Sequence, residues 1–319
     1  MIDRARSRHT LEGLLVDPIE GSFSGALVVE GGVIVEVERR EGGADEPLVF
    51  PGFIDLQAYD PSELAATGVT GYLLATQTVE EVDDPLCLGL HLEGPFLNPE
   101  AAGAIPVEEL RTVDLGLVAE WASAPDLVRL VTIAPELPFA LVAIEHLAAA
   151  GVVTALGHTH ANGLTTQAAV DAGARFATHL WNAMKAPRAR SPGPVLTLLL
   201  DERVTIGLIA DGRHLHPAVE ELAVRVAGPG RIALTSDRVP PPQHRLDGSL
   251  LGGDRSGAAV VGRMARFGLR EAALMASLVP ARVLGLRDRG RLAPGHRADV
   301  AVVAHDFSVL RVLAAGEDL

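Results

Sequence analysis

The sequence is poor in the residues that several protein classes depend on. Of its 319 residues only one is cysteine, Cys87, so no internal disulfide can form. This fits a reducing compartment. Only one residue, Lys185, is a lysine, and it lies beside Ala186-Pro187-Arg188 rather than in a strand. A solvated loop lysine is expected there, and a Schiff-base role has no better candidate. The longest apolar runs, such as 196–200 and 313–315, are far too short to cross a bilayer. The first six residues carry both charge signs and lead into no apolar signal core, so a cytoplasmic location is expected. Net charge is −14, which argues against nucleic acid as a partner. It does not exclude a small anionic substrate, because a few local cations can outweigh the global field. A Gly-rich dinucleotide loop is also missing, and this counts against an open doubly wound sheet.

What is present is a strand-then-helix alternation. Apolar runs at 48–57, 68–76, 86–93, 128–136, 151–158, 174–180, 203–211 and 231–237 are rich in Val, Ile and Leu, as expected of strands buried on both faces. Helical spacing appears at 137–150 and 164–172, each ending at a glycine, and at 217–226, which opens with Pro217. The pattern predicts a (β/α)₈ TIM barrel over 51–290. Residues 1–50 and 291–319 read as short strands and turns, including a hairpin at Gly31-Gly32. The two ends are expected to combine into one small β-sandwich domain.

The chemistry sits at the C-terminal ends of the predicted strands, where barrels of this kind carry their reactive groups. Gln57, Glu93, His158, His179, Asp211, His214 and Asp237 all fall there. Glu93, His158 and His179 are good zinc ligands, and three protein ligands leave a coordination position open for water. Asp237 is within the expected reach to act as general acid/base. A single buried histidine is more often a hydrogen-bonded core residue than a ligand; it is the convergence of the set on one rim that favours a metal. His91, two residues before Glu93, is expected to pack or to support the ligands. His160 and His216 read as loop groups, Glu136 as structural, and His146 as surface or core.

These strings resemble the amidohydrolase superfamily and, within it, the N-acetylglucosamine-6-phosphate deacetylase family. The resemblance is carried by Pro51-Gly52-Phe53-Ile54-Asp55-Leu56-Gln57, by Leu90-His91-Leu92-Glu93-Gly94-Pro95-Phe96-Leu97-Asn98, and by Gly157-His158. It continues through Ala177-Thr178-His179-Leu180-Trp181-Asn182-Ala183-Met184, Ile209-Ala210-Asp211-Gly212-Arg213-His214, Thr235-Ser236-Asp237 and the closing segment 290–303. It implies hydrolysis of the acetyl group from an amino-sugar phosphate. It assigns Glu93, His158 and His179 to one divalent metal ion per subunit, with zinc expected, and Asp237 to acid/base catalysis. Asn182, Ala183, Arg190 and His214 match positions that hold sugar or phosphate. Asp211, Gln57, Ile105 and Gly252 are further candidates for the substrate wall. A homodimer, with a phosphate-binding arginine crossing the interface, is implied as well.

The chain also departs from the pattern. Gln57-Ala58-Tyr59 stands where many amidohydrolases carry His-x-His, and no bridging lysine follows on the fourth strand, so one metal is expected rather than two. Ile105 stands where the family usually has a substrate-touching histidine. The stretch between Gln57 and Glu93 is short, and Pro240-Pro241-Pro242 replaces a longer excursion. Two other readings follow from these changes: the same chemistry on a different N-acyl or cyclic amide, or a catalytically impaired relative that binds a sugar phosphate.

Overall fold

The computed structural model describes residues 8–43, 45–241 and 250–319; Pro242 of the proline run lies outside them. Contacts divide the chain into two units. One comprises Met1–Asp55, Pro61–Tyr72 and Arg255–Leu319, and the other Leu56–Asp60 and Leu73–Asp254.

In the first unit the two ends of the chain share one sheet. Its strands are β1 (Arg8–Asp17), β2 (Gly21–Glu30), β3 (Val33–Arg39) and β4 (Leu48–Pro51), with three from the far end that are numbered β13 (Val300–Val303), β14 (Val309–Ala314) and β15 (Glu317–Asp318). The order is β15-β14-β13-β4-β1-β2-β3. β4 is the join: it runs parallel to β1, pairing Leu48 with Leu14, and antiparallel to β13, pairing Pro51 with Val300. Leu11, Leu15, Leu27, Val49, Val300 and Leu313 form a single apolar cluster, so both termini bury their alternate residues in one core. The predicted hairpin is present. Gly31 and Gly32 both have positive φ, 58° and 81°, which the tight turn between β2 and β3 requires. This unit also holds residues 255–290, which the sequence boundary places with the barrel.

The barrel strands are β5 (Phe53–Ala58), β6 (Val69–Thr76), β7 (Cys87–Glu93), β8 (Val128–Ile133), β9 (Val153–Leu156), β10 (Phe176–Ala177), β11 (Thr205–Ile209) and β12 (Ile232–Thr235). They follow one another in sequence order across an eight-stranded parallel sheet. The sheet closes where Asp237 N–H donates to the Gln57 carbonyl at 2.9 Å, next to a parallel bridge between Ala58 and Arg238. The apolar run at 48–57 is therefore two strands in two sheets, parted at Gly52. The run at 174–180 is only a two-residue strand, because the chain turns away at His179, whose φ is 28°.

The connecting helices follow their caps. Helix α1 (Leu115–Ala122) starts at Asp114, whose carboxylate accepts from the Gly116 and Leu117 N–H groups. Helix α2 (Ala140–Ala149) follows Phe139, and α3 (Gly163–Asp171) is capped by Asn162. Helix α4 spans Gly193–Leu200, and α5 (Pro217–Ala227) has proline in its first turn and His216 as its cap. Among the described residues no helix is long and apolar enough to cross a membrane.

Candidate metal centre and its cavity

The strands of the barrel deliver their last side chains to the same rim, and three of those side chains meet. Glu93 Oε1 lies 3.0 Å from His158 Nε2 and 2.9 Å from His179 Nε2, and the two imidazole nitrogens are 3.2 Å apart. All three residues are buried. A four-coordinate cation with bonds of about 2.0–2.1 Å holds its donors about 3.3–3.4 Å apart, close to this spacing.

The hydrogen bonds around the cluster also fit a cation. His158 Nδ1 lies 2.8 Å from the Ala101 carbonyl, which can only accept, so Nδ1 carries the proton. In the neutral ring Nε2 then presents a lone pair toward Glu93 and His179. Three lone-pair donors facing one point repel one another unless a positive charge sits between them. Without a cation a proton must serve. Burial works against charge on His158, but its hydrogen bond to Glu93 outweighs burial and holds the imidazole above its usual pKa. Burial likewise opposes ionisation of Glu93, and the two imidazoles outweigh it, keeping the carboxyl well below the usual carboxylate range. His179 Nδ1 is buried without a hydrogen-bond partner among the described residues.

The backbone is bent to make this convergence. His158, His179 and Asp237 have φ of 47°, 28° and 49°, and Trp181 and Ala183 are positive too. Such conformations cost non-glycine residues roughly 1–3 kcal/mol, and they persist only where their surroundings hold them.

Around the cluster lie the groups that fix it. Gln57 Nε2 donates both to Glu93 Oε2 and to Asp237 Oδ1, each at 3.0 Å. Tyr59 Oη donates to Glu93 Oε2 at 2.5 Å. Glu93 thus offers Oε1 to the histidines and Oε2 to two donors. Burial first, then the nearby negative charge of Glu93, pushes the Tyr59 phenol well above its ordinary pKa, so it stays a donor. His91 is turned away from the cavity. Its Nδ1 donates to the Leu56 carbonyl at 2.9 Å, its Nε2 faces Thr132 Oγ1 at 2.7 Å, and burial lowers its pKa to about 4. It packs the barrel interior as a neutral ring.

A cavity of about 680 Å³ opens over the cluster. Asp237, Asn182, Ala183, His214 and Ile105 line it, beside the three donors. Four other residues expected at the substrate wall are not part of it. Gln57 lies behind Glu93. Asp211 lies behind His214, its carboxylate accepting from His214 Nδ1 at 2.9 Å and from two backbone N–H groups. Gly252 is tucked against the Asp237 carbonyl, where an added Cβ would come within 2.5 Å. Arg190 is exposed on the 185–193 loop. No lysine or arginine is among the described residues of the cavity wall.

Tyr59 escapes the sequence reading, whereas Glu136 has the structural role read for it. Tyr59 lies two residues beyond Gln57, hence on the same face of the strand, which is a readable signal. Glu136 follows its strand with a carboxylate as the other reactive positions do. It accepts from Asn98 Nδ2 at 2.7 Å, Thr159 Oγ1 at 2.5 Å and the His160 N–H at 2.7 Å. It therefore ties the loop after β7 to the loop that carries His158. Three other histidines lie where the sequence suggests: His146 is exposed on α2, His160 is in a loop, and His216 caps α5.

The family model for the amidohydrolase family matches residues 63–318. An N-acetylglucosamine-6-phosphate deacetylase from Vibrio furnissii is 31% identical over 79% of this chain and 73% of its own length. An N-acetylgalactosamine-6-phosphate deacetylase from Escherichia coli O157:H7 is 36% identical over 72% of this chain and 67% of its own. Matched stretches range from 64% to 87% of the lengths of several curated relatives. Among solved structures, a point mutant of the Mycobacterium smegmatis N-acetyl-D-glucosamine-6-phosphate deacetylase, in complex with N-acetyl-D-glucosamine-6-phosphate, superposes with a TM-score of 0.89. It is 30% identical, with 98% of this chain and 99% of that one covered. By fold, by site and by these likenesses, the chain belongs to the amidohydrolase family and, within it, to the family of the N-acetylglucosamine-6-phosphate deacetylases.

Proposed function

We propose that the protein is a metal-dependent amide hydrolase that removes the acetyl group from N-acetylglucosamine 6-phosphate or a close amino-sugar phosphate. The observation that carries this reading is the meeting of Glu93 Oε1, His158 Nε2 and His179 Nε2 within 3.2 Å of one another, at the floor of a cavity that also receives Asp237.

Glu93, His158 and His179 would hold one divalent ion per subunit, with zinc the expected metal because two imidazoles and a carboxylate suit it. When bound, such an ion polarises the amide carbonyl and makes water acidic enough to react near neutral pH. Asp237 takes the proton of the attacking water and returns it to the departing nitrogen. The Gln57 amide holds that carboxylate in line with the ligand set. Asn182 and the Ala183 backbone face the cavity as donors for hydroxyl and phosphate oxygens, and His214, whose Nδ1 donates to Asp211, offers Nε2 as an acceptor for a sugar hydroxyl. A homodimer, in which a phosphate-binding arginine crosses between copies, fits a cavity whose described wall holds neither lysine nor arginine. The single cysteine suits a cytoplasmic protein, and the net charge of −14 suits one that does not bind nucleic acid.

The test is release of free amine from N-acetylglucosamine 6-phosphate by metal-loaded protein. Turnover abolished by chelation and restored by zinc supports the reading, and absence of turnover with metal bound opposes it. Because relatives named for the galacto sugar match as closely, N-acetylgalactosamine 6-phosphate belongs in the same assay as a second reading.

A further inference from the structure

Amide hydrolysis puts negative charge on the carbonyl oxygen as the acyl carbon becomes tetrahedral, and a donor aimed at that oxygen lowers the barrier. Among the described residues of the cavity wall, the side chains that carry an N–H or O–H are Tyr59, Gln77, His158, His179, Asn182 and His214. Most of these protons are already committed. Tyr59 gives its single proton to Glu93 Oε2, His158 Nδ1 gives its own to the Ala101 carbonyl, and His214 Nδ1 donates to Asp211. His179 turns Nε2 to the ligand cluster, and its Nδ1 is buried away from the cavity. Asn182 Nδ2 donates to the His179 carbonyl at 3.2 Å and keeps one N–H for a ligand. The Gln77 carboxamide, in contrast, makes no hydrogen bond to any described residue and has both N–H groups to offer.

Its place in the barrel points that carboxamide at the reacting group. Gln77 is the first residue past β6, so it obeys the same strand-end rule as Glu93, His158, His179 and Asp237. β6 lies between β5, which Tyr59 follows, and β7, which ends at Glu93. Neighbouring strands are about 4.8 Å apart, a gap that a glutamine side chain spans. Asn182, Ala183 and His214 follow β10 and β11, across the barrel mouth from β6. Where those residues hold hydroxyl and phosphate oxygens, the acetamido group is the part of the substrate nearest β6. Ile105, on the loop after β7, brings no polar side-chain atom to it. Gln77 also borders a second cavity of about 550 Å³, beside Glu108, Glu109, Arg111 and Glu120, yet it bonds to none of them. A substrate that expels water leaves the carboxamide unpaired unless it bonds to it, and an unpaired donor out of water is costly.

We infer that Gln77 is a further catalytic residue, whose Nε2 donates to the oxygen of the scissile carbonyl. The inference rests on the amide-hydrolase reading above. As the water oxygen bonds to the acyl carbon, the π pair of the carbonyl moves onto its oxygen, and the Gln77 N–H meets the growing charge. The pair then re-forms the double bond while the carbon–nitrogen bond breaks. Its electrons leave with the nitrogen, which takes the proton that Asp237 removed from the water. The carboxamide exchanges no proton in either step. Gln57 is not free for this role, because its Nε2 already donates to Glu93 and Asp237.

Gln77→Met keeps the length of the side chain and removes its donors. With zinc-loaded protein and N-acetylglucosamine 6-phosphate, kcat should fall by about 10²-fold while KM stays close to that of wild type, because the bond strengthens in the transition state. A second readout does not depend on turnover. N-acetylglucosamine 6-phosphate labelled with ¹³C at the carbonyl is bound to zinc-loaded Asp237→Asn protein, and its carbonyl stretch is recorded by infrared difference spectroscopy. Adding Gln77→Met should move the band to higher wavenumber, as loss of a hydrogen bond to that oxygen requires. A fall in kcat with the band unmoved would overturn the inference and give Gln77 a structural role. Undiminished kcat in Gln77→Met would overturn it too, and place the carboxamide in the neighbouring cavity, with amide hydrolysis left standing. Absence of turnover by metal-loaded wild type would overturn both readings.

Discussion

The Tyr59 hydroxyl donates to Glu93 Oε2 at 2.5 Å and so reserves Oε1 of that carboxylate for the two histidines. With Gln57 on the same oxygen, Glu93 is held in a fixed orientation with Oε1 toward the histidines. Loss of a group that orients a metal ligand costs roughly 10–100-fold in metal affinity or activity. Tyr59→Phe keeps the ring and removes only the donor. Zinc affinity, measured by competition with a chromophoric chelator, should fall by about 10–100-fold. Unaltered affinity would mean the phenol merely fills space.

Glu136 acts on His158 from the far side. It holds Asn98, Thr159 and the His160 N–H, while Ala101, in the same loop as Asn98, accepts from His158 Nδ1. His158 needs such restraint because its φ of 47° is costly for a side chain with a Cβ. Glu136→Gln replaces one acceptor oxygen with a donor and leaves at least one of the three donors unmatched. Urea unfolding should show a loss of about 1–3 kcal/mol. Zinc affinity should drop as well, and a stability loss with unchanged zinc affinity would limit Glu136 to a role in folding alone.

Asp237 is linked to Glu93 through the Gln57 amide, 3.0 Å from each carboxylate. Asp237→Asn preserves shape and removes the proton acceptor. Turnover should drop by about 10² or more, with the metal content by elemental analysis unchanged. Near-normal turnover in this variant would assign proton transfer to another group.

Much of this site can be read in the sequence because a parallel barrel strand ends where its function begins. Glu93, His158, His179 and Asp237 each close or follow a buried apolar run, and the fold brings all such endings to one rim. What cannot be read depends on the path of the chain after the strand. Arg190 sits on an exposed loop, where sequence spacing says nothing of direction, and Gly252 is marked by its neighbours while its place is set by backbone packing against Asp237. Asp211 follows the strand-end rule, yet its carboxylate is turned onto His214 and its own backbone rather than into the cavity. Glu136 obeys the same rule and reads as structural, which its three hydrogen bonds to two loops bear out, although the sequence does not say which groups it holds. The split of 48–57 between two sheets is hidden by its unbroken hydrophobicity: Phe50 and Phe53 are both buried, on either side of Gly52.

The buried Asp211–His214 contact gives a prediction for acid stability. Burial alone would raise the Asp211 pKa, but the His214 hydrogen bond and two backbone N–H donors outweigh it and lower the value from 3.8 to about 2. A carboxylate with a depressed folded pKa adds stability in full above its unfolded value and loses it as pH falls toward the folded value. The window therefore runs from 3.8 down to about 2 on the pH scale. A shift of this size corresponds to about 1–2 kcal/mol once solvent screening is allowed for. Asp211→Asn has no carboxyl to titrate. The stability advantage of wild type over Asp211→Asn, measured by urea unfolding, should be constant from about pH 7 to about pH 5. It should then shrink by about 1–2 kcal/mol by about pH 2. An advantage that stays level through that range would show that Asp211 titrates alike in the folded and unfolded chain, and that its contact with His214 does not hold the carboxylate ionised.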